Sequence, residues 1–254
     1  MCVICSGNII QGIVRIDCAG CPNVKYIPSI TSLRVLICSH CPHLERIDQS
    51  DNLQILDCSK CINLSYIPVL PNLKELYCTG CPLIESIEPH YPRLTTLSCP
   101  DCRSLQSISQ FLTNLKTLYC FDCPQLKQIP SIHGLEQLYC HQCRLLERIP
   151  RLDKIKKLCC YDCPFLETIS RPIGRIHSDE NYSDTLTELY CTGCPFLFIP
   201  HQSRLKHNIR KSNNMHFRLK RVQQRYQRKI YVRKLLKHMF FLIIDLNDLI
   251  VGYC

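Results

Sequence analysis

Residues 115–129 read LKTLYCFDCPQLKQI, which is one complete copy of a phrase that fills most of the chain. In general form the phrase is L-x-x-L-x-C-x-x-C-x-x-L-x-x-I, and nine copies of it occur. The first cysteines of the copies are Cys18, Cys38, Cys58, Cys78, Cys99, Cys120, Cys140, Cys160 and Cys191. The steps between them are 20 or 21 residues, except for a last step of 31. A fixed period of this size predicts stacked structural units.

The apolar positions of the phrase predict how each unit folds. In the copy that begins at Leu115, the side chains of Leu118 and Cys120 are two residues apart, which places them on one face of a strand. The same positions are apolar or cysteine in all nine copies. We therefore expect one short strand per unit, followed by a turn, with neighbouring units burying each other's apolar edges.

At these residues the chain resembles the leucine-rich-repeat family, whose phrase is L-x-x-L-x-L-x-x-N/C-x-L. Here the first cysteine takes the third leucine position and the second takes the asparagine-or-cysteine position. Units followed by proline, as at Ile67-Pro68 and Ile129-Pro130, look like repeats of secreted bacterial effectors. The cysteine-rich form with C-P-x-L looks more like leucine-rich-repeat proteins of giant DNA viruses. The resemblance covers residues 13–200 and implies an α/β-type repeat solenoid, an arc with a parallel sheet of nine short strands, which binds a partner.

Charge and composition divide the chain into three parts. Residues 1–12 form a predicted N-terminal cap, residues 13–200 the repeats, and residues 201–254 a basic helical tail with an apolar capping segment. Residues 1–200 hold 18 Lys+Arg against 19 Asp+Glu, whereas residues 201–254 hold 13 against 2. An insertion at residues 170–184, between the eighth and ninth units, is predicted to be an exposed loop because it is polar and contains Pro172 and Gly174.

Strand positions that point away from the core are the candidates for partner binding. The residues just before and just after each first cysteine alternate with the core leucines, and the resemblance implies that they lie on the concave face. In units six to eight these residues are mostly aromatic, which is typical of interfaces. A structural explanation is also open, since tyrosine suits strands. The candidate residues are Tyr77, Tyr119, Phe121, Tyr139, His141, Tyr161 and Tyr190.

The tail has several competing interpretations. Its apolar residues recur at near-helical spacing between residues 217 and 238, which predicts a helix. The apolar stretch beyond it is too short to span a membrane and predicts a cap over the end of the solenoid. The basic residues suit nucleic acid, an anionic membrane surface or, by a weak IQ-like match, a calmodulin-like partner. These basic residues are Arg218, Lys220, Arg221, Arg225, Arg228, Lys229, Arg233 and Lys234.

The 22 cysteines are expected to be reduced, buried thiols. The start of the chain has no signal-peptide pattern, so we expect an intracellular location, cytoplasmic or nuclear, where disulfides are rare. Neighbouring pairs read C-x2-C-x16-C-x2-C, which matches a zinc template, so a zinc-loaded protein is the alternative. Any 20-residue repeat with two cysteines gives that spacing, however, and nine pairs leave one over. We therefore assign no metal ligand and no cofactor, and regard disulfides between coils as an oxidation hazard.

No catalytic motif is found in the sequence. The G-x-x-x-x-G-K-[ST], G-x-S-x-G and H-E-x-x-H patterns are absent. We expect a non-enzymatic interaction scaffold that binds an unidentified protein, for which a host protein is one candidate. Cys159 is the one extra cysteine at an outward strand position, and its reactivity is a weaker hypothesis.

Overall fold

The computed structural model describes residues 2–7, 12–88, 91–170, 186–195 and 197. All of them lie in the first of the two units into which the chain divides, residues 1–209. The predicted basic tail, residues 201–254, and residues 171–184 of the predicted insertion lie outside the described residues. The helix, the apolar cap and the boundary at residue 200 therefore stay predictions.

Short strands follow one another along the described part of the chain. Three-residue strands surround the second leucine position of each unit, and two-residue strands end at the closing isoleucine of several units. In chain order the strands are β1 (Arg15–Asp17), β2 (Tyr26–Ile27), β3 (Val35–Ile37), β4 (Arg46–Ile47), β5 (Ile55–Asp57), β6 (Glu75–Tyr77), β7 (Ser86–Ile87), β8 (Thr96–Ser98), β9 (Ser107–Ile108), β10 (Thr117–Tyr119), β11 (Gln137–Tyr139), β12 (Arg148–Ile149), β13 (Lys157–Cys159), β14 (Thr168–Ile169) and β15 (Glu188–Tyr190).

The three-residue strands form one parallel sheet of nine strands within the described residues, in the order β1-β3-β5-β6-β8-β10-β11-β13-β15. The pairing is in register from unit to unit, so that Leu118 of β10 lies between Leu97 of β8 and Leu138 of β11. These leucines are fully buried. The parallel sheet of about nine short strands predicted from the sequence is confirmed, and each unit buries the apolar edge of the next.

The two-residue strands were not predicted. They pair in parallel as β2-β4, β7-β9 and β12-β14. Each ends on the closing isoleucine, which is buried in all but the last case, Ile169. A buried β-branched residue favours extended backbone, and the backbone there finds partners in the next unit, as in the 2.9 Å bond from Asp48 N–H to the Ile27 carbonyl. One strand per unit was therefore an underestimate.

Every described unit makes the same left-handed turn two residues after its first cysteine. Only three of these residues are glycine, and the others adopt a positive φ without it. The set is Gly20, His40, Lys60, Gly80, Asp101, Asp122, Gln142, Asp162 and Gly193. The turn lets the backbone N–H continue the ladder to the next unit, as in the 2.7 Å bond from Lys60 N–H to the Thr79 carbonyl.

From the second unit onward, the second cysteine of each unit forms a hydrogen bond to the unit before it. The Cys143 thiol donates to the carbonyl oxygen of Cys120 at 3.1 Å, and the Cys163 thiol donates to that of Cys140 at 3.1 Å. The equivalent bond recurs from Cys41 to Cys194 at 2.9–3.2 Å. The thiols thus satisfy buried backbone acceptors that water does not reach.

Candidate functional site

The outer face of the nine-stranded sheet, which points away from the leucine core, carries three columns of side chains. They come from the residue before the second leucine of each unit, the residue after it, and the residue after the first cysteine. Strand alternation sends the first two outward because the leucine between them is buried. In β10 these residues are Thr117 and Tyr119, followed by Phe121 beyond Cys120.

Two tyrosines stack in the middle column. The rings of Tyr119 and Tyr139 lie 4.6 Å apart between centroids, with an interplanar angle of 16°. They are register partners on the adjacent strands β10 and β11. Because strands are about 4.8 Å apart, side chains at paired positions of a parallel sheet lie at stacking distance. A stack of this kind is worth about 0.5–1.5 kcal/mol beyond the area it buries.

A second, longer stack lies in the neighbouring column. Phe121 and His141 are 4.4 Å apart between ring centroids, and His141 and Tyr161 are 4.2 Å apart, with interplanar angles of 10° and 13°. The structure thus brings five of the sequence-predicted site residues into one aromatic patch. We use that name for Tyr119, Phe121, Tyr139, His141 and Tyr161, all of which are half-buried.

Burial disfavours the charged form of His141, which lies in the centre of the longer stack. Burial lowers the pKa of His141 below its usual value and outweighs the opposite effect of Asp122 and Asp162. Its Nδ1 is buried and has no hydrogen-bond partner, a situation unique among the side chains of the described residues. A neutral imidazole between two rings behaves as an aromatic plate rather than as a charge.

The tyrosine hydroxyls are oriented by the first column. The Tyr139 hydroxyl donates to Gln137 Oε1 at 3.3 Å, and the Tyr190 hydroxyl donates to Glu188 Oε2 at 3.1 Å. The Tyr77 hydroxyl donates to a carboxylate of Glu75 at 2.8 Å, and burial together with this bond raises the pKa of Tyr77 to about 12. These first-column partners were missed from the sequence, although their two-residue spacing to each tyrosine predicts the same face.

Lys157 connects Tyr190 to the aromatic patch. Its Nζ lies 5.6 Å from the ring centroid of Tyr139, 5.8 Å from that of Tyr190, and 3.1 Å from a carboxylate oxygen of Glu188. Both distances from Nζ to a ring centroid are in the range of cation–π attraction. Tyr77 is separated from the patch, because Ser98 of β8 lies between the positions of Tyr77 and Tyr119. The patch with Lys157 and Tyr190 therefore occupies one end of the sheet, and Tyr77 stands apart.

Cys159 does not behave as an exposed nucleophile. It occupies the predicted outward position between Tyr139 and Tyr190, but only 7% of its surface is exposed. Burial raises the pKa of Cys159, and the nearby Lys157 does not offset that effect. A thiol needs an accessible thiolate to react, so the structure does not favour the reactivity hypothesis.

Burial favours the neutral thiol form of Cys120 and Cys143 in the repeats. Burial raises the pKa of Cys143 to about 11 and that of Cys120 well above its usual range. A thiol that donates its proton to a carbonyl is not a thiolate, which is the form that binds metal. The zinc alternative for the repeats stays a prediction. Elemental analysis of protein purified without added zinc tests it, with about one zinc per two repeats expected if it is right.

The basic tail residues, from Arg218 to Lys234, lie outside the described residues, so their predicted role is not tested. The described part of the chain contains no helix with the length and apolar composition needed to cross a membrane.

Comparison with known proteins points to one repeat family. A family model for leucine-rich repeats, in two copies, matches residues 51–91, which contain the third and fourth units. The crystal structure of a leucine-rich repeat protein from Bacteroides ovatus ATCC 8483 is similar at a TM-score of 0.39 and 18% identity, over 73% of this chain and 66% of that one. The similarity thus spans slightly less than two thirds of the Bacteroides protein. No match is found among curated proteins.

Proposed function

We propose that this chain, whose residues 51–91 match a family model for leucine-rich repeats, is a protein-interaction scaffold that binds a partner protein on the outer face of its nine-stranded sheet. By the resemblance to the family, this face is the concave side of the arc. The observation that carries the proposal is the aromatic patch, in which two stacks extend across adjacent units on a face that the core does not use.

The chemistry of the patch suits a protein interface. Tyrosine and phenylalanine bring a large contact area with few rotatable bonds, so little side-chain entropy is lost on binding. Stacking between Tyr119 and Tyr139 already restricts both rings before a partner arrives. Lys157 and Glu188 add one charge of each sign at the edge of the patch, where rim charges give specificity more than affinity. We expect a partner surface with apolar anchors and a few polar groups.

The proposed scaffold is non-enzymatic and works in a reducing, intracellular compartment. This location is supported by the thiols that donate hydrogen bonds between units, such as the bond from Cys143 to the Cys120 carbonyl, because only a reduced thiol can donate. Oxidation would remove these donors.

Affinity capture from host-cell lysate, with the full-length chain as bait, tests the proposal. One variant changes Tyr119, Tyr139 and Tyr161 to Ala. A matched control changes three exposed apolar residues outside the nine-stranded sheet, Ile62, Tyr66 and Phe111, to Ala; their exposed fractions are 50%, 54% and 61%. Circular dichroism checks that both variants fold.

We expect a specific partner to be retained by the control and lost by the tyrosine variant. If both variants capture the same set of proteins as the unaltered chain, the patch is not the binding surface.

A second candidate function rests on the charge of the tail, which holds 13 Lys+Arg against 2 Asp+Glu. Such a segment attracts nucleic acid or an anionic membrane surface. Changing Arg225, Arg228, Lys229 and Arg233 to Gln in the full-length chain tests it. We expect weaker binding to DNA or to anionic vesicles and a shallower dependence on salt. Unchanged binding would contradict this function and leave the sheet surface as the candidate.

A further inference from the structure

Three cysteines converge at the N-terminal end of the solenoid. The Sγ atoms of Cys2 and Cys5 are 3.5 Å apart, and those of Cys5 and Cys21 are 3.4 Å apart. All three Sγ atoms lie within 4.8 Å of one another, and no other group of three or more metal-ligating side chains meets that distance among the described residues. All three residues are half-buried rather than sealed in the core.

Cys21 differs from the other second cysteines because of its place in the stack. In later units this cysteine donates to the carbonyl of the preceding unit, as Cys41 does to the Cys18 carbonyl at 3.1 Å. Cys21 belongs to the first of the nine units, and among the described residues no copy of the phrase precedes it to offer that carbonyl. Its sulfur faces Cys5 instead. The N-terminal segment thus brings thiols to the position where a preceding repeat would bring a backbone acceptor.

We propose that Cys2, Cys5 and Cys21 form a thiolate site for one divalent cation of the zinc class. Tetrahedral zinc with Zn–S bonds of about 2.3 Å places its sulfur ligands about 3.8 Å apart. The observed separations of 3.4 Å and 3.5 Å, within a group no wider than 4.8 Å, fit such a site after small side-chain shifts. Three soft thiolates favour zinc over magnesium or calcium, which prefer oxygen ligands.

Two of the three ligands, Cys2 and Cys5, form a C-x2-C pair, which is a spacing that recurs in zinc sites. The thiol of Cys18 is not part of the close group and is buried, with 3% of the residue exposed. Three protein ligands leave the fourth position of the cation to water or another small ligand.

The cation would fasten residues 2–7 to the first unit. Among the described residues, β1 of the first unit pairs only with β3, and an apolar edge left at the end of a stack of repeats needs a cap. Ile4 packs against the core next to these cysteines. Because the ligands come from two separate segments, binding a cation closes the intervening chain and stabilises the folded state.

Metal titration of the full-length chain tests the proposal. Protein purified under reducing conditions is stripped of metal and titrated with Co²⁺, whose thiolate charge-transfer and tetrahedral ligand-field bands report sulfur coordination. Zn²⁺ is then added to displace it. We expect one tightly bound equivalent per chain. The Cys5→Ser and Cys2→Ser variants should each bind more than about 100-fold more weakly, since loss of outer-shell groups alone costs 10–100-fold.

The control variant is Cys191→Ser, because Cys191 is half-buried like the three ligands but belongs to the ninth unit. It should bind the cation as the unaltered chain does. Circular dichroism should show that all three variants fold, and the two N-terminal variants serve as independent checks on each other.

Three results would overturn the proposal. One is undiminished binding by both Cys5→Ser and Cys2→Ser. Another is several equivalents of equal affinity, which would place metal on the repeat pairs. The third is a disulfide within the cluster that persists under the same reducing conditions and leaves no stoichiometric metal bound.

Discussion

Units one to three and units six to eight have the same core but different outer faces. Leu36 and Leu56 in the first region are as fully buried as Leu118 and Leu138 in the second. In the two columns that follow the core leucine and the first cysteine, the first region has Asp17, Ile37, Asp57, Ala19, Ser39 and Ser59, whereas the second region has the aromatic patch and Cys159. The repeats therefore stack with small, acidic or aliphatic residues on the outer face as well as with aromatic ones. The fold therefore does not require the aromatic patch, which supports the proposal that the patch is a partner-binding surface.

The largest predicted effect is the loss of stability when a core leucine is truncated, and it should be the same in both regions. Leu118→Ala and Leu56→Ala each remove a fully buried side chain that contacts two neighbouring units. We expect each to lower the free energy of unfolding by about 2–5 kcal/mol, as measured by chemical denaturation. If the two costs differ by more than about 3 kcal/mol, which is the full width of the usual range for this substitution, the two regions do not share one core.

A smaller effect, a gain in stability, is expected when glycine replaces the residue at a left-handed turn in either region. Lys60 and Gln142 adopt φ values of 58° and 60°, which cost an L-residue about 1–2 kcal/mol and cost glycine little. Allowing for the greater freedom of glycine in the unfolded chain, Lys60→Gly and Gln142→Gly should each stabilise the protein by about 0.5–1 kcal/mol. Loss of stability in either variant, seen in thermal unfolding, would mean that the side chain makes a contact worth more than the strain.

The smallest predicted effect is a pH dependence of stability that arises from His141, which lies in the second region. Burial lowers the folded-state pKa of His141, so the unfolded chain takes up its proton first as the pH falls. This contribution to stability is complete above about pH 6.5 and is lost progressively as the pH falls from there through the folded-state pKa. Replacement by phenylalanine, His141→Phe, keeps a ring in the stack and removes the titrating group. The difference in melting temperature between variant and unaltered chain should grow in favour of the variant on acidification. A difference that is constant with pH would contradict the burial effect.

The buried columns followed from the sequence because a strict period places the same residue type at the same point in every coil. The proximity of Tyr119 and Tyr139 could be predicted for the same reason, because paired strands bring equivalent positions of adjacent units together. Whether the patch binds a partner remains a prediction.

Other features of the structure could not be predicted, because no single residue type marks them in the sequence. The left-handed turn is occupied by glycine, aspartate, histidine, lysine and glutamine in different units, because the next unit's carbonyl holds the backbone there whichever side chain is present. The donation from the Cys143 thiol to a carbonyl depends on a rotamer that spacing does not reveal. The approach of Cys2 and Cys5 to Cys21 depends on how the first residues turn back onto the first coil. The burial of Cys159 arises from larger neighbours, Tyr139 and Tyr190, on both sides.

Site-specific photocrosslinking compares the two regions most directly. A photoreactive amino acid is placed at Thr117, beside Tyr119 on β10, and in a separate protein at Val35, the equivalent position on β3. Both side chains are partly exposed on the same face of the same sheet. We predict that the partner is crosslinked from Thr117 and not from Val35. Crosslinking from Val35 alone, or from neither position in lysate that contains the partner, would contradict the assignment of the aromatic patch as the binding surface.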